Sequence, residues 1–176
     1  LLVAVTILAV FIRICGIDYK SDDFNSFLYP WWRIIKQSDF TGLATQVGNY
    51  NIPYQVIIYL MTLLPFSALQ SYKIVSIIFD FVLAFSSAAL VYSFVKSNAK
   101  LKAAITYSAV LLSTTVIFNS SFWAQCDSIY TSFIILAILF LHKDKPIAAF
   151  VFIGIAFAFK LQTVFIIPVL LYYWIS

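Results

Sequence analysis

Five stretches of almost uninterrupted hydrocarbon, Leu1 to Ile17, Leu69 to Val95, Ala103 to Phe118, Ser128 to Leu141 and Pro146 onward, direct this chain toward lipid rather than a water-soluble core. A helix crossing the hydrocarbon layer needs about 20 apolar residues, with a range of roughly 17 to 25. With 63% hydrophobic and 10% charged residues, and a mean hydropathy of +0.98, one soluble core cannot absorb so much apolar surface. Polar residues do not recur at every second position, which argues against a transmembrane barrel. The expected fold is all-α, a polytopic transmembrane helix bundle with interfacial amphipathic helices in its first extracytoplasmic loop, residues 18–66. Residues 1–176 read as one transmembrane module. The opening Leu without a basic stretch before it, and the abrupt ending at Trp174-Ile175-Ser176, suggest an N-terminal excerpt of a longer chain.

Short basic loops normally face the cytoplasm, and Lys96, Lys100 and Lys102 in one loop agree with Lys143 and Lys145 in another. Asn119 to Asp127 then falls on the opposite face, together with Ile17 to Asn51. Pro53 to Pro65 is too short to cross and is expected to lie as an interfacial or half-inserted helix. The net charge of +4 resides in those cytoplasmic lysines, which suits anionic lipid and gives no support to nucleic-acid binding. Cys15 and Cys126 both fall near the outer face, where a disulfide is conceivable, although paired thiols in membrane helices more often serve as small apolar packing. No Cys/His cluster suggests zinc, and four glycines form no phosphate-binding loop.

The wet segment between the first two apolar runs carries adjacent carboxylates, Asp22 and Asp23, followed by Phe24-Asn25-Ser26-Phe27-Leu28-Tyr29-Pro30-Trp31-Trp32. Phe24, Phe27, Leu28, Trp31 and Ile35 share one side of a helix, and Asn25, Tyr29, Arg33 and Lys36 the other, as in a helix lying flat in the headgroup layer. Pro30 is expected to divide the stretch. Helix capping is the plain reading of Asp22 and Asp23. The sharper one is a catalytic base beside a dehydrating surface, since adjacent carboxylates point in different directions and one can cap while the other faces a pocket.

A second polar island runs from Asn119 to Tyr130. Asp127 ahead of Ser128 fits an N-cap, yet Trp123, Gln125, Asp127 and Tyr130 together supply a stacking surface and hydrogen-bonding groups suited to a sugar. Asp80 and Lys160 stand inside apolar runs, where an ionised side chain costs about 2.5 to 3.5 kcal/mol on insertion scales, so each needs a partner or a wet cavity. Lys73, two turns before Asp80, or Lys160 is expected to be the partner of Asp80. Lys160 is also placed to hold a lipid-linked phosphate, with Gln162 and Pro168 allowing a helix break there.

Taken in order, Ser21-Asp22-Asp23-Phe24 with its following Trp, Gly48-Asn49-Tyr50-Asn51-Ile52-Pro53-Tyr54, Asn119 through Tyr130, and Phe159-Lys160-Leu161-Gln162 with Pro168 resemble the GT-C superfamily of membrane glycosyltransferases. The likeness is to bacterial relatives of the glucosyltransferases that use dolichyl-phosphate-glucose. In that family an acid precedes an amphipathic helix in the first outer loop, and Tyr50 to Tyr54 resemble its Tyr-Pro-Pro-like turn. Trp123 to Asp127 stand where a His-Phe-Gln-Tyr-Asn-like element occurs, with Trp replacing His and Asp replacing Asn, and Lys160 to Gln162 resemble a Lys-Gln-Met-like element.

The resemblance implies a hexosyltransferase in a bacterial cell membrane. It would move a sugar from a polyprenyl-phosphate donor to a glycan, lipid-linked or protein acceptor at the extracytoplasmic face, with inversion. It implies Asp23 as base with Asp22 as alternative, Lys160 against the departing phosphate, and Trp123, Gln125, Asp127, Tyr130, Gln162, Asn49 and Tyr50 around the substrates. No cofactor is expected. An Asp22-Asp23-Asp127 divalent-metal set stays open, because other branches of the superfamily bind such an ion. The rival reading is a secondary transporter or lipid flippase with Asp80, Asp127 and Lys160 along its path. Polarity gathered at the outer surface rather than at mid-membrane favours the enzyme.

Overall fold

A computed structural model describes residues 2–175, which contain nine α-helices and no strand. The helices are α1 (Leu2–Cys15), α2 (Tyr29–Ser38), α3 (Ile52–Thr62), α4 (Ala68–Phe94), α5 (Ala99–Leu111), α6 (Thr114–Ile117), α7 (Asp127–His142), α8 (Pro146–Phe159) and α9 (Ile167–Ile175). π-helical turns at Phe24–Leu28 and Phe118–Phe122, and 3-10 turns at Asp39–Leu43 and Leu161–Ile166, join several of them.

Among the described residues only α4 is by itself long and apolar enough to cross a membrane. Its 27 residues measure about 40 Å against a hydrocarbon core of about 30 Å. Its start is set locally: Ser67 Oγ accepts from Gln70 N–H while Gln70 Oε1 accepts from Ser67 N–H, a reciprocal capping box. α5 passes the same test only together with Thr114–Phe122, from which it is bent by 47°. The Ala103 to Phe118 run is therefore broken at Leu112–Ser113 rather than continuous. α1, α7 and α8 have 14, 16 and 14 residues and fall short of a full crossing. α4 packs along α5 and α7, and α7 along α8.

The expected helix break near Gln162 is present. Lys160 adopts an extended backbone with φ −150° and ψ 127°, the 3-10 turn follows, and Pro168 falls in the first turn of α9, where its missing N–H costs nothing.

The partner of Asp80 is neither Lys73 nor Lys160 but Arg13. Arg13 Nε donates to Asp80 Oδ2 at 2.9 Å, and Arg13 Nη1 donates to the Ala9 carbonyl at 3.1 Å. The same carboxylate accepts from Ser120 Oγ at 2.5 Å and, through Oδ1, from Ser128 Oγ at 2.6 Å. One buried acid thus joins α1, α4, the Phe118–Phe122 turn and α7. With Arg13 at 1% and Asp80 at 0% exposure, both charges are sealed from the surroundings. Lys73 serves the turn after α1 instead, donating to the carbonyls of Gly16 and Tyr19.

The segment carrying α2 folds against α3 and the start of α4. Phe24, Leu28, Trp31 and Ile35 are buried on the predicted side, while Phe27 is half exposed. The helical run from Asp22 is widened at Phe24–Leu28, so Pro30 enters at the beginning of α2 without a clash. Buried Gln55 holds the following loop, donating to the Gly42 and Thr45 carbonyls at 2.7 Å each and accepting from Val47 N–H at 3.1 Å.

Breaking the Arg13–Asp80 pair leaves a buried guanidinium without its counter-charge. Asp80→Ala is expected to cost about 3–5 kcal/mol, whereas a combined Arg13→Leu, Asp80→Leu variant recovers most of the loss. Thermal unfolding of the detergent-solubilised protein reads both, and a single variant as stable as wild type contradicts the assignment.

Candidate active site

Asp22 and Asp23 do not cap. Ser21 takes that role, its Oγ accepting from Phe24 N–H at 3.1 Å while donating to the Trp123 carbonyl at 3.2 Å, which fastens the first outer segment to the second. Asp23 is freed for other work. Its Oδ2 accepts from Gln125 Nε2 at 2.8 Å, and Gln125 Oε1 accepts from the Tyr50 hydroxyl at 3.1 Å. Asp23 is exposed, so the dehydration expected from sequence is not supplied, and an amide contact holds the carboxylate instead. Asp22 is also exposed and lines neither cavity described below.

Asp127 opens α7 without capping it. One of its oxygens pairs with Lys160 Nζ, and the other accepts from Asn119 Nδ2 at 2.9 Å. The ammonium lies 5.8 Å from the Tyr50 ring centre and 5.5 Å from that of Tyr130. Two adjoining cavities share Asn49 and Tyr50 as a common wall. One, of about 190 Å³, contains Asp23, Trp31 and Gln125, and the other, of about 610 Å³, contains Lys160, Gln162 and Phe159. Acid and cation therefore line separate cavities on either side of the Asn49–Tyr50 wall, and the hydrogen bonds from Gln125 to Asp23 and from Tyr50 to Gln125 run from the acid to that wall.

Of the sequence-derived residues, the fold gathers Asp23, Asn49, Tyr50, Gln125, Asp127, Tyr130, Lys160 and Gln162. Trp123 is set apart: its ring is half exposed and packs near Phe118, so its contribution is the carbonyl that Ser21 grips. Asn119, Trp31 and Cys126 were not singled out for the site. Asn119 reads as ordinary turn chemistry, Trp31 as a membrane anchor, and Cys126 as packing. Cys15 is exposed and Cys126 buried, and both thiols are free. Among the described residues no three His, Cys, Asp or Glu side chains come together around a metal position, so Asp22, Asp23 and Asp127 do not form the set considered from sequence.

Burial above all, reinforced by Cys126 and Asp127, raises the proton affinity of the Tyr50 hydroxyl, which therefore stays a neutral donor. Burial likewise pushes the Cys126 thiol up to about 12, the Lys160 charge only partly opposing it. Two local backbone features frame the cleft. Ala124, beside Gln125, has φ 59°, a left-handed conformation uncommon for a residue with a side chain. Gly48 has φ 79°, and a Cβ there would lie 2.3 Å from Trp31 Cε2, so only glycine lets the loop lie on the indole.

The chain matches no protein-family model, no curated protein and no solved structure.

Gly48→Ala is expected to displace Trp31 from the smaller cavity and to cost roughly 1–3 kcal/mol. A lowered melting temperature with altered tryptophan emission checks it. Burial keeps the Cys126 thiol protonated and out of reach of reagents at pH 8. N-ethylmaleimide is accordingly expected to modify Cys15 in the native protein and Cys126 only after denaturation, as intact mass will show.

Proposed function

We propose that this chain is the catalytic part of a multi-pass membrane glycosyltransferase that carries a sugar from a polyprenyl-phosphate donor to an acceptor hydroxyl at the extracytoplasmic face. The observation that supports the reading is the placement of Asp23 and Lys160 in adjoining cavities that share the Asn49–Tyr50 wall. The family resemblance implies these two residues as base and phosphate holder, although they stand near opposite ends of the sequence.

The multi-pass arrangement draws support from outward-facing hydrocarbon. Val3, Ile7, Phe11 and Ile14 form an exposed stripe at helical spacing along α1, and Ile147, Phe150 and Val151 are exposed on α8. Water does not favour such surfaces, whereas lipid does.

In the proposed reaction Asp23 removes the proton from the acceptor hydroxyl as its oxygen bonds to the anomeric carbon. The bond from that carbon to the donor's phosphate oxygen breaks on the opposite side, giving inversion. The electron pair leaves with the phosphate, whose charge Lys160 meets. Gln125 orients the base and, with Asn49 and Tyr50, supplies polar contacts to the sugar. The pathway reading is less well supported, because Asp80 is closed off by Arg13, Ser120 and Ser128 rather than set along a channel with Asp127 and Lys160.

The test is sugar transfer from a polyprenyl-phosphate-linked hexose by the full-length protein. Asp23→Asn is expected to lower turnover by about 10²- to 10⁴-fold, the usual contribution of a general base. Lys160→Met is expected to lower it as well. Unchanged turnover in Asp23→Asn removes that residue from the chemistry.

A further inference from the structure

At the end of the molecule where α4 finishes and α5 begins, the chain places five of its eleven Lys and Arg residues: Lys96, Lys100, Lys102, Lys143 and Lys145. All five are exposed, and Asp144 is the sole acidic side chain in these two loops. Among the described residues the ion pairs engage only Arg13 and Lys160, so none of these five charges is neutralised within the chain.

Orientation in the membrane explains the presence of such lysines, but it does not explain what lies beside them. A groove of about 600 Å³ runs between α4 and α5, walled by Phe85, Ala88, Ala89, Tyr92 and Ala103, and Lys143 stands at its mouth. Lys100 does not line the groove but lies one helical turn before its wall residue Ala103 on the same side of α5, which puts a second cationic residue next to it in sequence on that helix face. His142 stacks on Phe94, with ring centres 3.8 Å apart, and its Nε2 lies 3.2 Å from the Ser93 carbonyl oxygen. That contact ties the loop bearing Lys143 to the end of α4, so the cation is held beside the groove.

We infer that this groove is a site for an anionic phospholipid, its acyl chain lying along Phe85 and Ala89 and its headgroup phosphate meeting Lys143 and Lys100. The charge complementarity selects the occupant. An apolar slot open to the hydrocarbon beneath a headgroup-level pair of ammonium groups fits a lipid with net negative charge better than a zwitterionic one, whose choline would meet the lysines. The site depends on α4 crossing a membrane and is independent of the transferase chemistry.

The experiment is thermal unfolding of the full-length protein in mild detergent, titrated with phosphatidylglycerol, with phosphatidylcholine, or with inorganic phosphate. Phosphatidylglycerol is expected to raise the melting temperature saturably, and the other two are not. Lys100→Gln with Lys143→Gln is expected to weaken the apparent affinity about tenfold, and native mass spectrometry should show fewer retained phosphatidylglycerol adducts. Ala89→Phe, at an exposed position, fills the slot and is expected to abolish the shift while the protein stays folded. An equal response to phosphatidylcholine, a matching response to phosphate alone, or an undiminished response in both variants overturns the assignment.

Discussion

The buried Arg13–Asp80 pair is the constraint on which the candidate site depends. Charges this deep are stable only when paired and hydrogen-bonded, and the two serines that donate to Asp80 beside Arg13 come from separate elements. Each serine has a neighbour in the polar network around Lys160: Asn119 precedes Ser120, and Asp127 precedes Ser128. Holding both serines on one carboxylate therefore sets the separation at which Asn119 can donate to Asp127. The geometry that presents Asp127 to Lys160 is decided one residue behind the cleft, by a charge pair that touches no substrate.

The opposite wall is stiffened by different means. Gln55 makes three hydrogen bonds to the loop around Gly42 to Val47, and Gly48 then lays that loop on the Trp31 indole. Tyr50 emerges from this scaffold with its ring edge-on to Trp31 at 5.5 Å and packed against Tyr54 at 4.9 Å. Aromatic contacts and the Gln55 hydrogen bonds leave Tyr50 little freedom, which suits a residue dividing two cavities. Ser21, bonded across to the Trp123 carbonyl, closes the outer layer.

Much of this arrangement was legible in the residue pattern, and the parts that were not share a physical reason. The apolar faces of α2 and α3 follow helical spacing, and the break after Phe159 follows from a lysine and a proline in an apolar run. Resemblance and polarity name Asp23, Gln125, Asp127 and Lys160 as site residues, whereas the contacts of Asp23 with Gln125 and of Lys160 with Asp127 come from the fold. What periodicity cannot express is which partner a buried charge selects. Arg13 sits two residues from the end of α1, and its own signal, a cation in an apolar run, was as strong as that of Lys73. Distance along α4 favours Lys73, yet the fold sends that lysine to the Gly16 and Tyr19 carbonyls in the turn after α1. Capping was misassigned for a related reason: Ser21 and Asp23 both suit an N-cap, and only the three-dimensional approach of Gln125 decides which is needed elsewhere.

The electrostatic balance of the cleft bears on what the proposed chemistry would require. Tyr50 and Cys126 are kept neutral by burial, so the local charges reduce to Asp23, Asp127 and Lys160. A phosphate reaching Lys160 must share it with Asp127, whose other oxygen is held by Asn119 and cannot readily swing away. A sugar phosphodiester carries one negative charge, whereas the phosphate released by cleavage of the sugar bond carries up to two. An ammonium already half-satisfied by Asp127 gains little from the first state and more from the second. On the proposed reading, that difference places the benefit of Lys160 in the bond-breaking step rather than in donor binding, which is the condition for an interaction to accelerate a reaction.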